Sequence, residues 1–328
     1  MTNKPPFKPL NVGIVMDPIE GIKPHKDSSF AMLLEAQRRG HTLFYMQPQD
    51  LYLQNGQPFA TTSALKVWDK PKEQQYYGFG ATQHTALNTL DIILIRQDPP
   101  FNNDYLYSTH LLELAEAQGV LVVNKPQSLR DANEKLFASW FSNCIPATLV
   151  SAKADLLKTF INEQQDTILK PLDAMGGASI FRVKHNDPNI NVIIEVMTGH
   201  GQHHIMAQQY LPQIKDGDKR ILLINGQPID YTLARIPAAG ETRGNIAAGG
   251  TGVGMPITER ERWLCAQIAP TLQAKGLYFA GLDVIGDYIT EINVTSPTCI
   301  RELDAQFGLN IAGQLFDCLE SVIKLNLS

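Results

Sequence analysis

The sequence predicts an α/β fold of about two or three domains, and three observations carry that expectation. Short β-branched runs alternate with helical stretches up to about Val123. The 328 residues are 44% hydrophobic and 19% charged, enough apolar material for a sizeable core. No apolar run approaches the roughly 18 residues that span a bilayer, so a membrane protein is not expected. A net charge of −5 likewise supplies no basic field for a nucleic-acid backbone.

The elements follow in order. The first residues, MTNKPPFKPLN, hold prolines where a signal peptide needs an apolar stretch, so they read as a loose arm and the protein as cytoplasmic. Asn11 to Met16 is a short buried strand. A helix follows: Asp27 or Ser28 can cap it, Phe30, Leu33, Leu34 and Ala36 form its apolar stripe, and Gly40 stops it. His41 to Met46 and Asp91 to Ile95 are strands, Leu111 to Gln118 is a helix, and Val120 to Val123 returns as strand. That alternation implies a parallel sheet covered on both faces, Rossmann-like in outline. No GxGxxG follows the first strand, so dinucleotide binding is not expected there. Residues 55–88 read as a polar, irregular surface excursion with a hairpin.

After about Asn124 the character changes. Ser128 to Phe141 reads as one helix carrying Lys135, and Cys144 to Thr148 leads to an edge strand. Asp155 to Gln164 is an amphipathic helix, Thr167 to Lys170 a strand, and a glycine-bearing loop leads to its hairpin partner, Ile180 to Val183. From about Gln202 strands alternate with long loops, and Ile311 to Leu325 closes the chain as a packing helix. Cys144, Cys265, Cys299 and Cys318 are widely spaced without a CxxC, as reduced thiols would be. His203-His204 lacks a carboxylate at metal spacing and reads as strand-end or surface histidine.

Two stretches carry chemistry. Lys170 ends a strand, and Met175-Gly176-Gly177-Ala178-Ser179 then offers backbone N–H groups unshielded by side chains, so lysine and loop can grip one anion. A tight turn beside a surface lysine would look the same, and no GxxxxGK[ST] occurs. The second stretch is GLDVIGDYITEINVTSPTCIRE, from Gly281 to Glu302. It reads as an antiparallel hairpin in which Glu291 and Asn293, two apart, leave the same face. A three-residue turn pairs Asp283 with Glu291 on that face; a two-residue turn throws it to the other. Two carboxylates and an amide oxygen on one face are hard ligands for Mg²⁺, which would supply the missing countercharge. Alone, the pattern is equally that of a strand with one wet face.

Order and joint occurrence decide between these readings. Lys135, then Lys170 with its glycine loop, then AQQYLP, then Asp283 and EINVTSP resemble an ATP-grasp carboxylate–amine ligase. Longer runs, among them DSSFAMLLEAQRRGH, VNKPQSLRDANEKLF, ILKPLDAMGGASIFRV and LARIPAAGETRGNIAAGG, are similar to the bacterial glutathione synthetase family from about Val12 to Arg301. The resemblance implies a Rossmann-like N-terminal domain (1–130) followed by a two-part ATP-grasp fold, a lid domain (131–205) and a C-terminal catalytic domain (206–328). It implies joining of γ-glutamylcysteine and glycine with ATP through an acyl phosphate, giving glutathione, ADP and phosphate. It assigns Lys135 and Lys170 to the phosphates, covered by Gly176 and Gly177, and Gln208, Gln209, Tyr210 and Leu211 to the adenine. Asp283, Glu291 and Asn293 would hold Mg²⁺, with Mn²⁺ as the alternative, and the assembly would be a homotetramer.

The substrate's two carboxylates call for arginine forks, and Arg96, Arg220, Arg235, Arg243 and Arg301 are the candidates, the last four as catalytic residues. Arg220 could equally serve the triphosphate, and Arg301 the acyl phosphate. The glycine-rich stretch from Ile236 to Gly254 reads as a lid keeping water from that intermediate, or else as a disordered surface loop. Two other readings use the same residues: a ligase joining a different acid and amine, such as D-alanine to D-alanine, and a non-catalytic ATP-binding switch.

Overall fold

The computed structural model describes residues 8–238 and 250–327. The first strand, β1 (Asn11–Met16), buries Val12, Ile14, Val15 and Met16, each side chain contributing roughly 1.5–3 kcal/mol of apolar burial. Helix α1 (Ser28–Arg38) starts at Asp27, whose Oδ1 accepts from the Phe30 N–H at 2.7 Å, and the chain leaves it through Gly40 at φ +83°. It returns as β2 (Thr42–Met46), parallel to β1.

Residues 55–88 are not irregular. After β3 (Leu51–Gln54) they form the long strands β4 (Gln57–Val67) and β5 (Tyr77–Ala86), which extend the sheet in antiparallel fashion. The inward positions of β4 include Ala60 and Thr62, not only large aliphatics, so the alternation is faint in the sequence. Thr62 is fully buried and satisfied by the Thr85 hydroxyl at 2.6 Å. β6 (Ile92–Arg96) lies parallel to β1 on its other side. Helix α2 (Asn103–Glu116) begins well before Leu111, because Asn102 caps it through the Tyr105 N–H at 2.9 Å. β7 (Leu121–Val123) completes the parallel set β2-β1-β6-β7.

The expected helix from Ser128 to Phe141 is broken. Helix α3 (Pro126–Asp131) stops at Ala132, and the Asn133 carboxamide takes up the backbone N–H groups of Lys135 and Leu136 at 3.2 and 3.0 Å. A side chain competing for those donors ends the helix, so Lys135 sits on a turn.

The middle unit has its own small core, built from Leu157, Ile161, Leu169, Val183, Ile194 and Ile205. Its strands are β8 (Thr148–Ser151), β9 (Asp166–Pro171), β10 (Phe181–Lys184) and β11 (Ile205–Gln209), in the order β10-β9-β11-β8, with α4 (Ala154–Gln164) and α5 (Ile190–Thr198) packed on them. A boundary between residues 205 and 206 would cut β11, and the turn after α3 belongs elsewhere: Phe137 shares a core with Ile292.

The last unit is an antiparallel sheet in the order β14-β13-β12-β15-β16. Its strands are β12 (Asp218–Ile224), β13 (Gln227–Ile236), β14 (Thr251–Pro256), β15 (Phe279–Ile285) and β16 (Tyr288–Asn293). Between β14 and β15 runs α6 (Glu259–Ala274), a helix unseen in the sequence reading although Thr258 and Glu261 form a capping box. Helices α7 (Ile300–Phe307) and α8 (Ile311–Leu327) close the chain. Leu315, Phe316 and Leu319 of α8 share a core with Phe30 and Leu33 of α1, and Arg39 binds Asp317 and Glu320, each at 3.0 Å. All four thiols are free, and no described helix is long and apolar enough to cross a membrane.

Candidate active site

Two adjoining concavities account for most of the singled-out residues. The first is lined by Lys135, Lys170, Gly176, Gly177, the run Gln208 to Leu211, and Asp218. The second is wider and is lined by Lys26, Asp98, Glu134, Arg220, Arg235 and Asn293, among others. Met175, Gly176, Asp283 and Glu291 line both. A group passing from one compartment to the other must pass these four residues.

The hairpin explains how two carboxylates share that wall. The turn is the two-residue Gly286-Asp287, with Ile285 opposite Tyr288, which by itself would send Asp283 to the wrong face. A bulge restores it: the register slips between Asp283 and Val284, Thr290 becomes the extra residue, and Asp283 stands opposite Glu291. Asn293 lies two residues further along, its Nδ2 donating to the Gly281 carbonyl at 3.3 Å, which leaves the Oδ1 as the acceptor for a cation.

Cations surround this wall. Arg220 binds Asp283 through both Nε (2.5 Å) and Nη2 (3.1 Å), and Arg235 bridges Asp283 (2.9 Å) to Asp218 (2.6 Å). Burial alone would raise the Asp283 carboxyl, but Arg220 and Arg235 overcome it and hold it well below the usual carboxylate range. Asp218 shows the opposite balance: burial pushes its carboxyl up to about 6 even beside Arg235, and its Oδ1 is buried without a partner. Lys170 is buried, donating to Gln208 Oε1 and the Thr290 carbonyl, both at 3.1 Å. Desolvation brings its ammonium down to about 8, against the pull of Glu291 and with the repulsion of Lys135. Lys135 donates to the Ala174 carbonyl at 2.6 Å and pairs with Glu291 at 3.1 Å.

Some expectations are not met. Arg301 faces away, paired with exposed Asp69 at 2.7 Å, and lines neither compartment; the first turn of α7 points it across the groove beside α1. Arg96 lies outside both as well, donating to Ser29 and to the Pro297 carbonyl, each at 2.9 Å. Arg243 and most of the glycine-rich stretch lie outside the described residues. His203 and His204 are exposed, and no cluster of three or more His, Cys, Asp or Glu at ligand spacing occurs among the described residues.

Sequence reasoning passed over Asp218 and Glu134. Asp218 stands two residues before Arg220 at the start of a strand, so the pair shares a face, a legible but common signal. Glu134 is held by backbone contacts that no sequence pattern shows.

The comparisons agree with this geometry. The model of the prokaryotic glutathione synthetase N-terminal domain matches residues 10–130, and that of the family's ATP-grasp domain matches residues 134–308. The chain belongs to the prokaryotic glutathione synthetase family. It is 59% identical over 315 residues to a glutathione synthetase of Pseudomonas syringae pv. tomato, covering 96% of this chain and 98% of the relative. It is 57% identical over 315 residues to that of Escherichia coli K12, covering 96% and 99%. It is an ATP-dependent, glutathione-forming ligase. Solved structures share the fold at low identity. The D-cycloserine synthetase DcsG has a TM-score of 0.64 at 13% identity, covering 95% of this chain and 99% of that one. The ATP-grasp ligase PsnB, complexed with minimal precursor, Mg and ADP, has 0.60 at 16%, covering 95% and 98%.

Proposed function

We propose that the chain makes glutathione in two steps at the shared wall: the γ-phosphate of ATP moves to the free cysteinyl carboxylate of γ-glutamylcysteine, and the amine of glycine then displaces phosphate. The observation that carries this division of labour is that Asp283 and Glu291 line both compartments, so the nucleotide side and the peptide side meet at one pair of carboxylates. A carboxylate at neutral pH is a poor electrophile, which is why its oxygen must first become a phosphate leaving group.

Each residue then has a task. Gln208 to Leu211 hold the adenine, and the unpartnered Asp218 Oδ1 accepts from a ribose hydroxyl. Lys135 and Lys170 bind phosphate oxygens under the N–H groups of Gly176 and Gly177. Arg220 and Arg235 neutralise the charge that builds up as two anions approach, and positioning with such charge stabilisation is most of what phosphoryl transfer requires. Asp283, Glu291 and Asn293 fit Mg²⁺ as oxygen donors on one face, with phosphate and water completing the shell; Mn²⁺ suits the same set. When bound, the ion would neutralise phosphate charge and draw the nucleotide's oxygens toward this strand. The free thiols suit a reducing compartment such as the cytoplasm, and a homotetramer is part of the proposal.

The test is phosphate release from ATP and Mg²⁺ with γ-glutamylcysteine and glycine omitted in turn, the thiol product being identified by mass. Release that requires the peptide, with glutathione appearing only when glycine is added, is expected. Tight ATP binding without release under any combination would refute it and favour a nucleotide switch. Release with D-alanine in place of both substrates would point to a different ligase.

A further inference from the structure

The turn Asn133-Glu134-Lys135 staples two parts of the site together. On one side Asn133 Nδ2 donates to the Leu172 carbonyl at 3.1 Å and Lys135 to the Ala174 carbonyl at 2.6 Å, both at the start of the glycine loop. On the other side Lys135 pairs with Glu291, and Glu134 makes hydrogen bonds to the chain just beyond it. Its backbone carbonyl accepts from the Ile292 N–H at 2.9 Å. One oxygen of its side chain, Oε1, accepts from the Val294 N–H (2.8 Å), the Thr295 N–H (2.9 Å) and the Thr295 hydroxyl (2.8 Å).

We propose that Glu134 is a positioning residue for the cation: by gripping the chain on both sides of Asn293 it makes Glu291 and Asn293 present their oxygens together. The inference rests on the proposed function, because it takes those two residues as Mg²⁺ ligands. Asn293 needs such a hold. It is the last residue of β16, where the ladder ends; beyond it the Val294 carbonyl is taken by Asn124 Nδ2 at 2.7 Å, while the N–H groups of Val294 and Thr295 go to Glu134. One buried oxygen serving three donors is a directional substitute for that ladder.

The experiment compares Glu134→Ala, Glu134→Gln and Thr295→Ala with the intact full-length enzyme. ADP affinity is measured by calorimetry without Mg²⁺ and across a Mg²⁺ titration, beside the Mg²⁺ dependence of turnover. Glu134→Ala should raise the Mg²⁺ concentration for half-effect about tenfold or more, while Mg²⁺-free ADP affinity stays within about twofold. Glu134→Gln keeps an acceptor oxygen and should stay within about threefold of the parent; Thr295→Ala removes one donor and should give a small shift in the same sense. Where Glu134→Ala does not fold, the other two variants decide. An unchanged Mg²⁺ midpoint in Glu134→Ala, or in Thr295→Ala where Glu134→Ala does not fold, or an equal loss of Mg²⁺-free ADP affinity, overturns the inference. If the parent enzyme itself shows no Mg²⁺ effect on ADP, the proposed ligand set has failed instead.

Discussion

Raising the pH from about 7 to about 9 should weaken nucleotide binding by about tenfold, through Lys170. Burial brings its ammonium down to about 8, so it is mostly charged at the lower pH and mostly neutral at the higher. If only the charged form holds the phosphates, the apparent dissociation constant grows as one plus the ratio of neutral to charged lysine. That factor is about 1.1 at pH 7 and about 11 at pH 9, a change of roughly 1.4 kcal/mol. Two other groups change little in this window: a terminal phosphate, half-ionised at about pH 6, is about nine-tenths ionised by about pH 7, and Asp218, at about 6, is mostly charged there. Calorimetry with ADP in two buffers of different ionisation enthalpy would read both affinity and proton uptake. Close to half a proton should be taken up at about pH 8 as the phosphate restores the charge on Lys170. In Lys170→Met the affinity should be weaker throughout, with neither slope nor uptake.

Stability has the opposite sign. A lysine whose pKa falls from 10.5 in the unfolded chain to about 8 in the fold binds fewer protons when folded, so the contribution of this group to stability of the nucleotide-free enzyme rises with pH across that window. Affinity falls while apo stability gains. An ADP affinity that stays flat from about pH 7 to about pH 9, or a slope surviving in Lys170→Met, would refute the reasoning.

Three further outcomes follow from particular contacts. Asp283→Ala strands the buried Arg220 guanidinium and leaves Arg235 with Asp218 alone, and denaturant unfolding should show a loss of about 3–5 kcal/mol along with loss of turnover. Arg301→Ala should leave kcat and both substrate KM values within about twofold in steady-state assays, since the side chain pairs with exposed Asp69 outside the cleft. Arg182 stacks on the Tyr210 ring at 3.6 Å while its guanidinium forks onto Asp166, so Arg182→Met should raise KM for ATP about two- to fivefold without changing kcat.

Much of the candidate site is local, and where those residues stand on their strands was legible. Lys170 at the end of a strand before Gly176-Gly177 needs only sequence neighbours to be recognised, and the same holds for the Glu291 and Asn293 pair. Where a long-range partner decides a conformation, the sequence is silent. The helix through Lys135 failed because the Asn133 side chain captures two N–H groups, a choice that ordinary helix propensity does not foresee. The hairpin in residues 55–88 was expected, but the length and regularity of its strands were hidden because Ala60 and Thr62 face inward, Thr62 bonding the hydroxyl of Thr85, which the register sets opposite Ala60. Arg301 was a candidate because it follows the Glu291 and Asn293 strand closely in sequence, yet the first turn of α7 pairs it with Asp69 outside both compartments.

The hairpin joins the two cases. Its two-residue turn is written in Gly286-Asp287, and by that turn alone Asp283 would lie opposite Thr290, on the face away from Glu291. The bulge reverses the outcome, and contacts from outside the hairpin flank it. Beyond Asp283 the ladder is held by the Glu134 carbonyl on the Ile292 N–H; before it, Lys170 takes the Thr290 carbonyl. Thr290, the extra residue, thus has its carbonyl on Lys170 in the first compartment, and Ile292 has its N–H on the turn at Glu134. The extra residue lets a two-residue turn and a shared carboxylate face exist in the same hairpin. The two residues that touch the hairpin there, Glu134 and Lys170, lie more than a hundred positions earlier in the chain.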